Sequence, residues 1–389
     1  MYRLTLILAL ALALLNGCAT SNGPDATVSL AGAPPEANLR SYPEFGETLA
    51  KALHDGDRIL LVHSLDMERL LHRSFDDAGL SDGEYRAVAN RSQQVAQQFV
   101  DNIQREIGKK GGVTFIRIRP QEDSRLPGSR CLMRIVPEGG GVAYWDLYLD
   151  TQGDRVVVYD WFNYGTGQLA SASIGGFMKL LQSLKEEDRR GELKLVRQYV
   201  ASVRKQQYER ALELYKRLPE PIRQDPLVLI SRVQVSMAVS EGAYRAALAD
   251  LARLRGDDDS FALLLLDYYL YSGQYAQGHR ALEMVAARTG GDAGIEAMHA
   301  ALALEAGSYQ EAIGYARTGV SLDPDYEQSY WVLLEALAQT GYYDDAVLVL
   351  QILQDGFYYE FDADQLAALD GFEAFGQSRA FEGWRTSLH

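Results

Sequence analysis

One phrase returns along the second half of this 389-residue chain, and it restricts the fold more than any other feature. It reads Gly242-Ala-Tyr244, Gly273-Gln-Tyr275, Gly307-Ser-Tyr309 and Gly341-Tyr-Tyr343. A small residue follows three positions after each tyrosine (Ala247, Gly278, Ala312, Ala346), and an aliphatic one four later at Leu251, Leu282 and Leu350. A copy without the glycine sits at Tyr208, Ala211 and Tyr215. From Tyr208 the tyrosines step by 36, 31, 34 and 34 residues. A period near 34, with a Gly-x-Tyr turn between two apolar-periodic segments, predicts helical hairpins that bury their apolar faces by stacking on one another. The small residue lets the two helices of a hairpin approach closely; a large one there would overpack the crossing.

The last hairpin shows the pattern best. Its first helix, predicted over 326–340, carries Tyr330, Leu333, Leu334 and Leu337 on one stripe and Gln328, Trp331, Glu335 and Ala338 on another. Gly341 ends it, and Ala346, Leu350 and Leu353 pack the second helix back. These phrases, with Asp225-Pro226 and Asp323-Pro324 between copies, resemble the tetratricopeptide repeat over residues 192–355, in about five copies. Residues 356–389, rich in Phe, Tyr and Trp, are expected to form a helical cap. The resemblance implies an all-α solenoid that binds a protein or peptide in a concave groove lined by the first helices. The stripe opposite the core then supplies the groove candidates Arg232, Asp267, Tyr271, Glu305, Trp331 and Glu335, with Ser236 and Ala301 between them. Aromatic and Arg side chains carry most hot-spot energy, and the acidic trio Asp267, Glu305 and Glu335 favours a basic or amine-bearing partner segment. Three departures stand out: Gly278 where Ala is usual, a shortened turn near 256–259, and a first helix of the fourth copy poor in large apolar residues.

The start of the chain has a different logic. Arg3 precedes an apolar run over 4–15, then Leu15-Asn16-Gly17-Cys18. A run of about twelve is too short to span a bilayer and fits the core of a secretory signal. Its ending resembles the bacterial lipobox, which implies a signal peptide over 1–17, acylation of Cys18 and a lipid anchor. Ala19 in place of Asp implies the outer membrane, facing the periplasm. Residues 18–40 read as a flexible tether spanning roughly 25 Å. With Cys18 acylated only Cys131 remains, in the apolar stretch 131–136, so no disulfide or cysteine metal cluster is expected. The net charge of −15 argues against a nucleic-acid partner. The 47% apolar and 23% charged composition fits ordinary packed cores.

Between tether and repeats, residues 41–184 read as an α+β domain. Ser41-Tyr-Pro-Glu44 opens a helix to about 54; a second runs over 67–75 and a long third over 81–107. Four strands follow, over 113–119, 130–136, 142–149 and 155–162, giving a curved antiparallel sheet. A last helix spans 173–184, and the charged run 185–191 marks a boundary. The phrases Tyr144-Trp-Asp-Leu-Tyr-Leu149, Val156-Val-Val-Tyr-Asp-Trp161 and Tyr164-Gly resemble the cone-shaped fold of nuclear-transport-factor-like and cystatin-like proteins, a group that includes small-ligand isomerases and dehydratases.

Alternation puts Trp145, Leu147 and Leu149 on one face of the third strand and Tyr144, Asp146 and Tyr148 on the other, and on the next strand Val157, Tyr159 and Trp161 against Val156, Val158 and Asp160. A curved sheet can leave a pocket on its concave side, with Trp145, Tyr148, Asp160 and Trp161 as the candidate residues. Asp160, inside so apolar a strand, is a general base, a carboxylate bonded to a nearby loop or Arg, or a solvent-facing side chain. No phosphate loop, nucleophile elbow or zinc-helix motif occurs, His63 and His72, nine apart, would fall on opposite faces if both lay on one helix, and Asp362-Ala-Asp364 reads as a helix cap rather than a calcium loop. No cofactor, metal or catalytic residue is therefore expected. The leading reading is an envelope-anchored adaptor that holds a protein or peptide partner. The alternatives are a small-molecule-binding or isomerase/dehydratase-like front domain with a recruitment module, and a structural component of an envelope assembly.

Overall fold

The computed structural model describes residues 41–79, 81–90, 92–123, 126–184 and 189–387. The expected signal, Cys18 and tether lie outside the described residues. Among those described, no helix is long and apolar enough to cross a membrane. The chain divides into two compact units at Leu264–Leu265.

The first unit opens with α1 (Tyr42–Asp55), α2 (Arg58–Ser64), α3 (Met67–Ala78), α4 (Asp82–Ala89) and α5 (Ser92–Ile107). Local chemistry sets the starts: Ser41, Asp57 and Asp66 each accept a backbone N–H of the first turn with their side-chain oxygen. Gly56 and Gly79, at φ +74 and +65, stop α1 and α3. The seven-residue α2 was not foreseen, because so short a segment carries no usable period. The helix expected over 81–107 is two, ending at Ala89 and resuming at Ser92; Asn and Ser are residue types that compete with the backbone and favour helix ends over interiors.

The sheet has five antiparallel strands in sequential order rather than four: β1 (Gly112–Pro120), β2 (Ser129–Val136), β3 (Ala143–Gln152), β4 (Arg155–Asn163) and β5 (Gln168–Leu169). A two-residue strand leaves no alternation to read. Along β3 and β4 the register slips: Tyr148 faces Asp160 but Leu149 faces Val158, so Tyr159 is an extra residue. Simple alternation placed Val157, Tyr159 and Trp161 on one face; the bulge instead puts Val156, Val158 and Trp161 into one core with Trp145, Leu147 and Leu149, packed by α1, α2, α3 and α5. The other face is covered too, since Tyr144, Asp146, Tyr159 and Asp160 are also buried.

From the sheet the chain enters α6 (Ala170–Ser183), α7 (Arg190–Arg204), α8 (Tyr208–Arg217), α9 (Glu220–Arg223), α10 (Pro226–Val239) and α11 (Glu241–Arg255), then a 3₁₀ turn over Asp259–Phe261. Phe177 and Leu184 share one buried cluster with Val196, Tyr199, Leu214 and Val228. Residues before and after the charged stretch near 185–191 therefore share one core, and α6 packs with the first helical pairs in one unit.

The second unit holds α12 (Leu266–Tyr271), α13 (Tyr275–Thr289), α14 (Ala293–Glu305), α15 (Tyr309–Leu322), α16 (Glu327–Thr340), α17 (Tyr343–Gly356), α18 (Ala363–Ala367), α19 (Glu373–Gly376) and α20 (Arg379–Ser387). Residues 259–265 shorten the approach to α12, which has six residues. At four of the five pair junctions the same turn recurs. Gln207, Gln274, Ser308 and Tyr342 each donate their N–H to the carbonyl five residues back, at 2.9, 2.8, 2.8 and 3.1 Å. The residue before each is left-handed: Gly273, Gly307 and Gly341 at φ +68, +74 and +80, and Gln206 at φ +56. The copy lacking glycine therefore makes the same turn with a strained glutamine. Gly242 is the exception; it lies inside α11, and Ser240 caps that helix.

Ala211, Ala247, Ala312 and Ala346 are buried at the crossings. At Gly278 an added Cβ would stand 2.8 Å from Leu302 Cδ1, so the missing methyl makes room for a larger neighbour. The first helix of the fourth copy, α14, is buried nearly all round despite its small residues. The aromatic tail packs Phe375, Phe381 and Trp384 into one cluster with Leu337 and Leu350.

Candidate functional site

In the second unit, Glu327, Trp331 and Glu335 recur every fourth residue and so share one stripe of α16. Trp331 is half-buried because two tail residues lean on it edge-on: Tyr359, with ring centroids 5.1 Å apart, and Phe361, at 5.9 Å. Tyr359 and Phe361 stack at 6.0 Å, and the Tyr359 hydroxyl donates to Glu327 Oε2 at 3.1 Å. One turn further along, Glu335 is half-buried. Burial, then the like charges of Glu305 and Asp370, push its carboxyl above the ordinary range. Glu305 and Asp370 themselves are exposed. The surface thus sets partly desolvated acid beside aromatic rings, the combination that receives an ammonium or guanidinium group.

The remaining groove candidates are placed differently. Arg232 donates to Asp250 Oδ2 at 2.6 Å and lies over the Tyr215 ring, 4.8 Å from its centroid. Asp267, Ser236 and Ala301 are buried. Tyr271 is half-buried at the end of α12. Of the six groove candidates, Glu305, Trp331 and Glu335 belong to the acidic–aromatic surface. Its tail members Tyr359 and Phe361, and Asp370, escaped the repeat reading because they lie outside the period; only the aromatic density of the tail hinted at them.

The front-domain set splits in two. Trp145 and Trp161 lie on the same sheet face, their rings 6.3 Å apart, and Phe99 stacks on Trp161 at 4.6 Å. They border an apolar cavity of about 60 Å³ reached also by α6, α7 and α10. Tyr148 and Asp160 are opposite one another across β3 and β4, on the other side of the sheet. There burial pushes the Tyr148 hydroxyl up to about 12.

Asp160 is fully buried and receives four donors: Arg73 Nε at 3.1 Å, the Ser171 hydroxyl at 2.6 Å, and the N–H groups of Ser171 at 3.2 Å and Trp161 at 2.9 Å. Desolvation raises its pKa, opposed by the Ser171 bonds and Arg73. Those bonds tie β4 to α3 and to the first turn of α6, which is the carboxylate-to-Arg arrangement foreseen as one alternative to a general base. Cys131 is buried, and burial drives its thiol far up, away from nucleophilic character. Asp362 caps α18 by accepting from the N–H groups of Asp364 and Gln365. Among the described residues no group of three or more His, Cys, Asp or Glu side chains is placed to hold a metal ion.

The chain matches no family model, no curated protein and no solved structure.

Proposed function

We propose that this chain is a lipid-anchored scaffold of the bacterial cell envelope, whose tetratricopeptide-like helical pairs hold a basic segment of a protein partner against the Glu305–Trp331–Glu335 surface. The observation that carries this reading is Glu335. A carboxylate half-buried near two others and one turn from Trp331, on which Tyr359 and Phe361 lean, is relieved electrostatically when a Lys or Arg enters. The recurrence of one turn at four pair junctions supports the repeat reading. The Cys18 anchor, on the outer membrane and facing the periplasm, rests on the sequence pattern alone.

Fluorescence anisotropy against matched basic, neutral and acidic peptides tests the surface. Basic peptides are expected to bind, more weakly as salt rises. Glu305→Gln with Glu335→Gln should weaken them at least tenfold, a loss of about 1.4 kcal/mol. Equal binding of basic and acidic peptides, or indifference to the double change, would overturn the reading.

A further inference from the structure

The cavity in the first unit carries an inference that does not depend on the acidic–aromatic surface. Its walls are apolar and come from segments far apart in sequence: Phe99 and Ile103 on α5, Trp161 on β4, Phe177 on α6, Val196 on α7 and Val228 on α10. Two polar groups in this lining are not satisfied by the protein. Trp145 Nε1 and Asn163 Nδ2 are buried donors with no hydrogen-bond partner, in residues only 4% and 2% exposed. They are cross-strand neighbours, since Trp145 on β3 pairs with Asn163 on β4, so both side chains leave the same face of the sheet and border this one cavity.

The orientation of the Asn163 amide is not arbitrary. Its Oδ1 accepts the Gly165 N–H at 2.7 Å, which turns the NH₂ group away from that turn. On the far wall the Tyr199 and Ser231 hydroxyls bond each other at 2.7 Å, which consumes one of their two donors. A buried donor left without an acceptor is costly, and two side by side within an apolar cavity mark a place built for an acceptor atom.

Charge narrows the class of ligand. Among the described residues the lining includes one carboxylate, Glu106, and no Lys, Arg or His. An anionic ligand would meet no cation and would face Glu106, whereas a neutral carbonyl oxygen takes two N–H bonds without a charge to compensate. At about 60 Å³ the space suits a single ring or a short chain rather than a drug-sized molecule. We infer that the first unit binds a small, neutral, largely apolar carbonyl compound, whose oxygen accepts from Trp145 Nε1 and Asn163 Nδ2 and whose hydrocarbon body lies between Trp161, Phe177 and Val196.

The tryptophans provide the test. The chain has four, and Trp331 and Trp384 lie in the second unit as internal references. The indole N–H resonances of the full chain, carrying Cys18→Ser to avoid detergent, are followed by nitrogen–proton NMR during titration with cyclohexanone, methylenecyclohexane and cyclohexanecarboxylate. Cyclohexanone is expected to move the Trp145 N–H saturably downfield and to leave Trp331 and Trp384 in place, with weaker effects from the alkene and the carboxylate. Trp145→Phe, which keeps the ring and removes the donor, should weaken binding about fivefold as read from the Trp161 resonance. Val196→Phe, which fills the cavity without touching either donor, should abolish it. No saturable shift at Trp145, a carboxylate that binds as well as the ketone, or unchanged binding in the folded Val196→Phe protein would each overturn the inference.

Discussion

His299 offers a quantitative test of how the second unit is packed. It sits on α14, 5% exposed, with Nδ1 2.7 Å from Nδ1 of His279 on α13 and its ring stacked on Tyr315 of α15 at 4.9 Å. Burial, and secondarily the neighbouring His279, pull its pKa from 6.5 down to about 4. His279 is also lowered by burial, against the opposing pull of Glu311 and Glu283. A depressed folded-state pKa means the fold holds the neutral imidazole. Its contribution is therefore present above the unfolded value near 6.5 and is lost as pH falls through about 4. At pH 4.5 the unfolded chain has almost fully bound this proton while the folded chain has bound only a minor fraction, so linkage gives a loss of about 2–3 kcal/mol relative to neutral pH. His299→Phe keeps a ring against Tyr315 and removes the proton site. Urea unfolding followed by helical ellipticity, for both proteins at pH 7.5 and 4.5, cancels the carboxylates they share. The stability of the natural chain relative to the variant should fall by about 2–3 kcal/mol between the two pH values. A relative stability unchanged with pH, or a His299 imidazole titrating near its ordinary value by NMR, would refute the packing argument.

Asp160→Ala strands Arg73 and two buried Ser171 donors, and should cost about 3 kcal/mol in urea unfolding; a loss under about 1 kcal/mol would mean the four bonds matter little. Gln206→Gly places glycine where its left-handed backbone is unstrained, and should stabilise the chain by about 1 kcal/mol, whereas Gln206→Val should destabilise it. Ala346→Trp puts a large ring into a fully buried crossing, and its thermal midpoint should drop by the equivalent of about 2–3 kcal/mol; an unchanged midpoint would show that the helices are not closely packed there. Cys18→Ser should move the protein from the membrane fraction to the soluble fraction after lysis and centrifugation, and continued sedimentation with membranes would remove the lipid-anchor reading.

What the sequence by itself determined was local. Caps at Ser41, Asp66 and Asp362, and the turns at Gly273, Gly307 and Gly341, depend on one side chain or one sign of φ within a few residues, and such preferences are written in the chain. The small residues at Ala312 and Ala346 were legible for the same reason, because a fixed period sets which helix face they occupy. The acidic–aromatic surface was legible by half: Glu305, Trp331 and Glu335 follow the repeat, but Tyr359, Phe361 and Asp370 reach them only through the path of the tail. Tertiary structure alone decided the rest. The bulge at Tyr159 reverses which β4 residues face the core, and no pattern marks it in advance because Val157, Val158 and Tyr159 are all at home in a strand buried on both sides. The cavity is further still from anything periodic. Its lining runs from Phe99 to Ser231, and the unsatisfied donors on Trp145 and Asn163 exist only because helices and strands far apart in sequence close around them and leave no acceptor bonded to either.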